Sequence, residues 1–170
     1  MPLKKRPLDI IGWREWVSLP TLGIASIKAK IDTGARTSAL HAYDVRIDRS
    51  GDEPIVHFKV HPLQRSTRET VATSAVLIDR RRVRSSSGHS TRRPVIRVPM
   101  VLAGRRIGIE LTLTNRDEMG FRMLLGRRAL RKRFLVDVGK SYLVGRPPSG
   151  STIAMGEELN PNKTAIEDPT

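Results

Sequence analysis

The run Asp32-Thr33-Gly34-Ala35 is where this sequence concentrates chemistry. A carboxylate that must work opposite a second carboxylate needs a rigid mount, a hydroxyl nearby to brace the pair, and no bulk between the two backbones. Asp32 at the end of an apolar strand supplies the first, the Thr33 hydroxyl the second, and Gly34 the third. Asp-Thr-Gly is equally an ordinary turn sequence. What surrounds it has to decide.

The elements that would hold Asp32 are legible in the hydrophobic pattern. Trp13 to Leu19 reads as a strand closed by a turn at Pro20 and Gly23. In Ile24 to Ile31 the residues Ile27, Ala29 and Ile31 alternate with Lys28 and Lys30, the period of a half-buried strand that runs directly into Asp32. Thr37 to Tyr43 has a mixed pattern. After a turn at Asp48 to Pro54, Ile55 to Val60 and Glu69 to Ile78 form a pair of strands. Asp79 to Arg93 is rich in arginine and serine with Gly88 at its middle, which predicts a mobile, exposed hairpin. Val95 to Leu102 and Ile107 to Thr114 form the clearest hairpin, around Ala103-Gly104-Arg105-Arg106. A polar turn, Asn115 to Gly120, precedes Met123-Leu124-Leu125-Gly126. A short helix is expected from Arg127 to Phe134, with Leu125, Ala129, Leu130 and Phe134 on one face. Leu135 to Val138 and Tyr142 to Val144 would be closing strands.

These 170 residues fit one domain and a core built from aliphatic side chains, since aromatics are only 4% of the chain. We divide the chain into an N-terminal arm (1–11), a folded domain (12–147) and a disordered acidic tail (148–170), in which Glu157, Glu158, Glu167 and Asp168 outnumber Lys163. Without cysteine there is no disulfide scaffold, thiolate metal site or cysteine nucleophile. The basic start lacks the apolar run of a signal peptide and no stretch reaches membrane-spanning length, so the cytoplasm is the expected location and no membrane partner is expected. A formal charge of +14 predicts attraction to polyanions, whether RNA, a ribosome surface or an acidic peptide.

The order of features resembles the retropepsins, single-domain dimeric aspartic proteases. That family has a strand ending in Asp-Thr/Ser-Gly-Ala, a flap hairpin with a glycine at its tip, a further hairpin, then two apolar residues and Gly-Arg leading into a short helix. The matching residues are Asp32 to Ala35, Arg84-Ser-Ser-Ser-Gly-His89, Val95 to Thr114, and Leu124-Leu125-Gly126-Arg127. A closer resemblance spans most of residues 12–147. The run from Ile27 to His41, with His61-Pro-Leu-Gln64, is similar to a small bacterial family associated with RimK-type ATP-grasp ligases, long labelled an ATP-dependent zinc protease.

The resemblance implies an all-β, retropepsin-like barrel that is half of an enzyme, with one short C-terminal helix. It implies an aspartic endopeptidase acting as a homodimer with one catalytic Asp32 per chain and no cofactor. Thr33 would brace the aspartate pair, and Gly34, Ala35, Arg36 and Thr37 would line the path of the substrate backbone. Ser86, Ser87, Gly88 and His89 would form the tip of the flap, while Leu124, Leu125, Gly126 and Arg127 would support the catalytic loop. RimK-type ligases resemble enzymes that add glutamates to a ribosomal small-subunit protein. Ligase, ribosomal protein and poly-glutamate are thus the implied partners and substrate.

Two departures from the viral pattern stand out. Arg36 occupies the place of an acidic residue, so the usual salt bridge to the arginine of the Gly-Arg pair cannot form with Arg127. Extra residues, mostly Gly51 to Ile78, separate Asp32 from Gly126. The surrounding arginines also favour the ionised carboxylate and oppose a shared proton, a field that an acidic substrate would offset.

The zinc label has little in the residues to carry it. There is no His-Glu-x-x-His, and His57 and His61 would stand ~13 Å apart on a strand. Gly139-Lys140-Ser141 mimics the end of a phosphate loop, but Phe134 stands where its first glycine belongs. Two other functions compete with the peptidase: a non-catalytic basic module binding RNA or the ribosome, and an inactive regulatory partner of an ATP-grasp ligase.

Overall fold

A computed structural model of the chain describes residues 6–84, 87–115 and 120–146. The expected Ser86 and the tail beyond residue 147 lie outside the described residues, as does most of the Asn115 to Gly120 turn.

The period-two pattern yields strands in the expected order. β1 (Asp9–Leu19) and β2 (Ile24–Asp32) pair antiparallel through a 3-10 turn at Pro20–Leu22. They are followed by β3 (Ser38–His41), β4 (Tyr43–Asp48), β5 (Ile55–Val60), β6 (Val71–Arg84), β7 (Ser90–Leu102), β8 (Arg105–Thr114) and β9 (Met123–Gly126). A single turn of helix, α1 (Arg127–Leu130), and β10 (Phe134–Ser141) complete the described chain. The neighbours run β10-β1-β2-β9-β3-β8-β7-β6-β5-β4, and Ser18 of β1 also pairs with Val101 of β7. That last pairing closes β1, β2, β9, β3, β8 and β7 into a six-stranded barrel, the all-β, retropepsin-like architecture expected, with one short helix.

Burial follows the alternation. In β2, Ile27, Ala29 and Ile31 face the core while Lys30 is exposed. Leu40, Ile96, Met100, Ile107, Ile109 and Leu111 are fully buried beside them. Each such side chain contributes roughly 1.5–3 kcal/mol relative to exposure. The barrel is thereby a rigid mount for the end of β2.

Several boundaries differ from the sequence reading. Residues 9–11 of the expected arm belong to β1, because Asp9, Ile10 and Ile11 pair in parallel with Phe134, Leu135 and Val136. The hairpin expected at Asp79 to Arg93 is present and largely exposed, with β6 reaching Arg84 and β7 starting at Ser90. The helix stops at Leu130 rather than Phe134: Lys132 takes a left-handed conformation (φ 65°), turning the chain so that Phe134 can start β10. Tyr142 to Val144 is a turn rather than a strand. Tyr142 has φ 55°, and the following amides bond a carboxylate instead of a strand ladder. The extra segment Gly51 to Ile78 supplies β5 and half of β6, which with β4 extend the sheet beyond the barrel.

Candidate active site

Asp32 ends β2, directly opposite Gly126 at the end of β9 in a parallel pairing. Two strand ends converge there, and the chain leaves each in a tight loop. Asp32 Oδ1 accepts hydrogen bonds from the N–H groups of Gly34 and Ala35, both 3.1 Å, and the Asp32 carbonyl accepts a second bond from Ala35 N–H at 3.2 Å. The carboxylate is thus oriented by its own loop. It is half-buried, neither sealed in the core nor fully in water.

The second loop holds the first. Arg127 N–H donates to the Ala35 carbonyl at 2.9 Å and Arg128 N–H to the Arg36 carbonyl at 3.2 Å. The Arg127 guanidinium donates to the Gly34 carbonyl at 3.0 Å and reaches the Thr33 carbonyl at 3.5 Å. Gly126 is required by contact: a Cβ there would lie 2.5 Å from the Thr37 carbonyl oxygen. Its N–H is bonded by the buried Ser38 hydroxyl at 3.1 Å. Residues 32–37 and 124–127 are therefore one assembly, and Leu125 seals it from beneath at 0% exposure.

Gly34 behaves differently. A Cβ on it would meet only Asp32 Oδ1, at an ordinary 3.4 Å. Thr33, Gly34 and Arg36 are exposed, and the Thr33 hydroxyl makes no hydrogen bond to a described residue.

Ser87, Gly88 and His89 stand exposed at the turn between β6 and β7, where Gly88 has φ 84°, a conformation glycine adopts without strain. No hydrogen bond joins Gly88 or His89 to residues 32–37. The ribbon is tied to the site lower down. Glu110 Oε2 of β8 lies 2.6 Å from Arg81 Nη1 on the ribbon and 3.8 Å from Arg128 Nη1 in α1. The Arg81 hydrogen bond holds the Glu110 carboxyl below its usual range against the opposing effect of burial, and Arg81 is raised in return. Arg81, Glu110 and Arg128 thus connect the ribbon to the loop around Asp32.

His57 and His61 do not converge. His57 lines a groove on the annex strands with Asp44, Arg46, Lys59 and Ser74, whereas His61 stacks on Tyr43 with 4.5 Å between ring centroids and bonds the Glu69 carbonyl. Sequence reasoning missed three residues. Ser38 and Glu110 are polar positions inside strand patterns. Glu15, fully buried in β1, accepts N–H bonds from Gly12 and Leu143, each 2.8 Å. The one signal for Glu15 was its place among inward-facing positions, between Ile11 and Val17.

Residues 10–147 match the family model described as RimB-like, retropepsin-like aspartic endopeptidase RimB. Proteins named probable alpha-L-glutamate ligase from Shewanella pealeana and Desulfotalea psychrophila are 46% and 48% identical over 136 residues, 80% of this chain. The chain spans only 30% and 29% of the length of those two relatives. The crystal structure of a Legionella pneumophila protein of unknown function superposes with a TM-score of 0.67 at 24% identity, covering 80% of this chain and 98% of that one. That likeness shows a shared fold.

Proposed function

The chain belongs to the RimB-like family of retropepsin-like aspartic endopeptidases, and from that premise we propose that it is an aspartic endopeptidase whose active site is completed by a second copy of the chain. One observation carries the proposal. The half-buried Asp32 carboxylate is held by the amides of Gly34 and Ala35 at the convergence of two strand ends, with Thr33 and Gly34 open beside it. This arrangement supplies one oriented carboxylate, and hydrolysis by this chemistry needs two.

In the paired site, two Asp32 carboxyls share one proton, because like charges that close cannot both ionise. The pair titrates as a unit. The ionised member takes a proton from a water as its oxygen attacks the scissile carbonyl carbon, and the protonated member gives its proton to the carbonyl oxygen. Collapse of the tetrahedral intermediate returns that proton and delivers the other to the leaving nitrogen. Thr33 braces the pair, while Gly34 to Thr37 accept the substrate backbone. Ser86 to His89 close over it and exclude water.

The substrate we propose is an acidic or poly-glutamylated peptide, such as the modified end of a ribosomal small-subunit protein in the cytoplasm. The relatives' names connect homologous segments to alpha-L-glutamate ligation, and the chain's +14 charge favours a polyanion. A RimK-type ligase is the proposed partner. Because those names describe ligases, a second reading is a regulatory module of such a ligase without activity of its own. Incubation with a poly-glutamylated peptide, beside an Asp32→Asn form, separates the two. Cleavage by the parent and none by the variant is expected; cleavage undiminished in Asp32→Asn removes the mechanism, and none by either favours the regulatory module.

A further inference from the structure

The β6–β7 ribbon brings its arginines into register. Arg82 pairs with Arg92 and Arg81 with Arg93, directly opposite in the antiparallel ladder. Like charges in that relation destabilise a sheet. The two faces treat the problem differently. On one face Arg81 is neutralised, with Asp79 Oδ2 at 2.8 Å and Glu110 Oε2 at 2.6 Å, and Arg93 Nε donates to the Thr91 hydroxyl. On the other face Arg80, Arg82, Arg84 and Arg92 are exposed, and their side chains bond no described residue. Four cations held together without counter-charge among the described residues are a cost to the fold that a ligand would remove.

We infer that this face, Arg80, Arg82, Arg84 and Arg92, is the element that selects acidic substrate, holding the carboxylates of a glutamate-rich peptide in extended form. The inference rests on the peptidase reading above and adds to it the residues that set specificity. Alternate residues of a strand lie ~6.8 Å apart on one face, so the ladder Arg80, Arg82, Arg84 repeats at the spacing of alternate glutamates in an extended peptide. Guanidinium groups pair with carboxylates through charge-assisted hydrogen bonds. A single-stranded nucleic acid fits less well: the ribbon carries no Phe, Tyr or Trp on which bases would stack. The link from Arg81, on the ribbon's opposite face, through Glu110 to Arg128 ties the ribbon as a whole to the loop that holds Asp32.

The test measures binding apart from cleavage. The full chain carrying Asp32→Asn is titrated with hexaglutamate, hexaglutamine and a uridine hexanucleotide over a range of salt, beside the same protein with Arg80→Gln, Arg82→Gln and Arg92→Gln added. Hexaglutamate should bind in a salt-sensitive way, hexaglutamine should not, and the triple change should weaken hexaglutamate by about tenfold or more. Melting temperature should hold or rise, since repulsion is relieved, which also shows that the variant is folded. Hexaglutamate binding within twofold of the parent overturns the inference, as does absence of hexaglutamate binding. Tighter arginine-dependent binding of the hexanucleotide overturns it in favour of a nucleic-acid surface. Arginine-dependent hexaglutamate binding by a chain that cleaves nothing sinks the peptidase reading alone. Cleavage of glutamate peptides at a kcat/KM indifferent to the three arginines sinks this inference alone.

Discussion

The Arg127 guanidinium donates to the Gly34 carbonyl at 3.0 Å, so the first residue of α1 braces the loop that carries Asp32. In this chain the arginine of the Gly-Arg pair finds backbone oxygens, where the sequence had removed its acidic partner by placing Arg36. The brace is exposed, and its net worth to folding is about 1 kcal/mol. Its worth to catalysis is larger if it fixes the carboxylate. Arg127→Ala should therefore lower kcat by roughly 10–100-fold while shifting the melting temperature by only about 3 °C. Arg127→Lys should recover part of the loss, because one ammonium replaces one limb of the fork. Unchanged kcat in Arg127→Ala would separate the brace from the chemistry.

Gly126 and Gly34 should respond differently to the same substitution. A methyl at 126 meets the Thr37 backbone at 2.5 Å and must displace a strand end, whereas a methyl at 34 meets only Asp32 Oδ1 at 3.4 Å. Gly126→Ala should cost about 3 kcal/mol or more, as overpacking against backbone does. Gly34→Ala should fold with a parental melting curve yet lose most activity and weaken self-association, since in the proposed paired site the second copy or the substrate packs against Gly34. Calorimetry with sedimentation on both variants checks this. A fully active Gly34→Ala dimer would contradict the paired-site proposal.

Most strands and the Asp32 loop were legible because they are written in local terms, whereas closure of the strands into a barrel came from the family resemblance alone. The alternation of Ile27, Ala29 and Ile31 with lysines fixed the face of β2, and Asp-Thr-Gly followed at its end. Helix length and the last turn were not legible. Lys132 and Tyr142 adopt positive φ for reasons set by distant partners: parallel pairing of Phe134 with Asp9 in one case, and the Arg14 carbonyl and Glu15 carboxylate in the other. The Arg81–Glu110 link was hidden for the same reason, since it joins residues on strands that are not sheet neighbours.

That link should titrate. Glu110 faces Arg81, Arg128 and its cross-strand neighbour Arg97, and its carboxyl sits below the ordinary glutamate value of 4.5. A depressed folded value means that the pair stabilises the fold above the ordinary glutamate range and is lost as pH falls through the lower folded value. Screening leaves about 0.5–1 kcal/mol for a partly exposed pair. Glu110→Gln should melt a few degrees below the parent at neutral pH, by about 3 °C. The gap should close on acidification below the ordinary carboxylate range. A gap of constant size would mean that the carboxylate contributes shape rather than charge.

Glu15 offers the strongest test of how the end of the domain is held. Its side chain is fully buried and accepts N–H bonds from Gly12 and Leu143 at 2.8 Å and from Val144 at 3.5 Å. Tyr142 N–H meanwhile bonds the Arg14 carbonyl at 2.9 Å. Outside this clasp, Trp16 packs on Tyr142, and Lys28 and Arg146 lie over the Trp16 ring. Both 2.8 Å bonds end on Oε1, so a glutamine can keep them, whereas a methionine of similar length carries no oxygen and leaves the Gly12 and Leu143 amides unmatched. Glu15→Met should cost about 2–3 kcal/mol and lower the melting temperature by about 6–9 °C. Because the aromatic and cationic contacts remain, the loss should be local first: hydrogen exchange at Leu143 and Val144 should quicken well before that of Ile27 or Ile31 in the core. Uniform quickening across the barrel would show that the clasp is part of the global fold, and an unchanged melting temperature would show that it holds nothing.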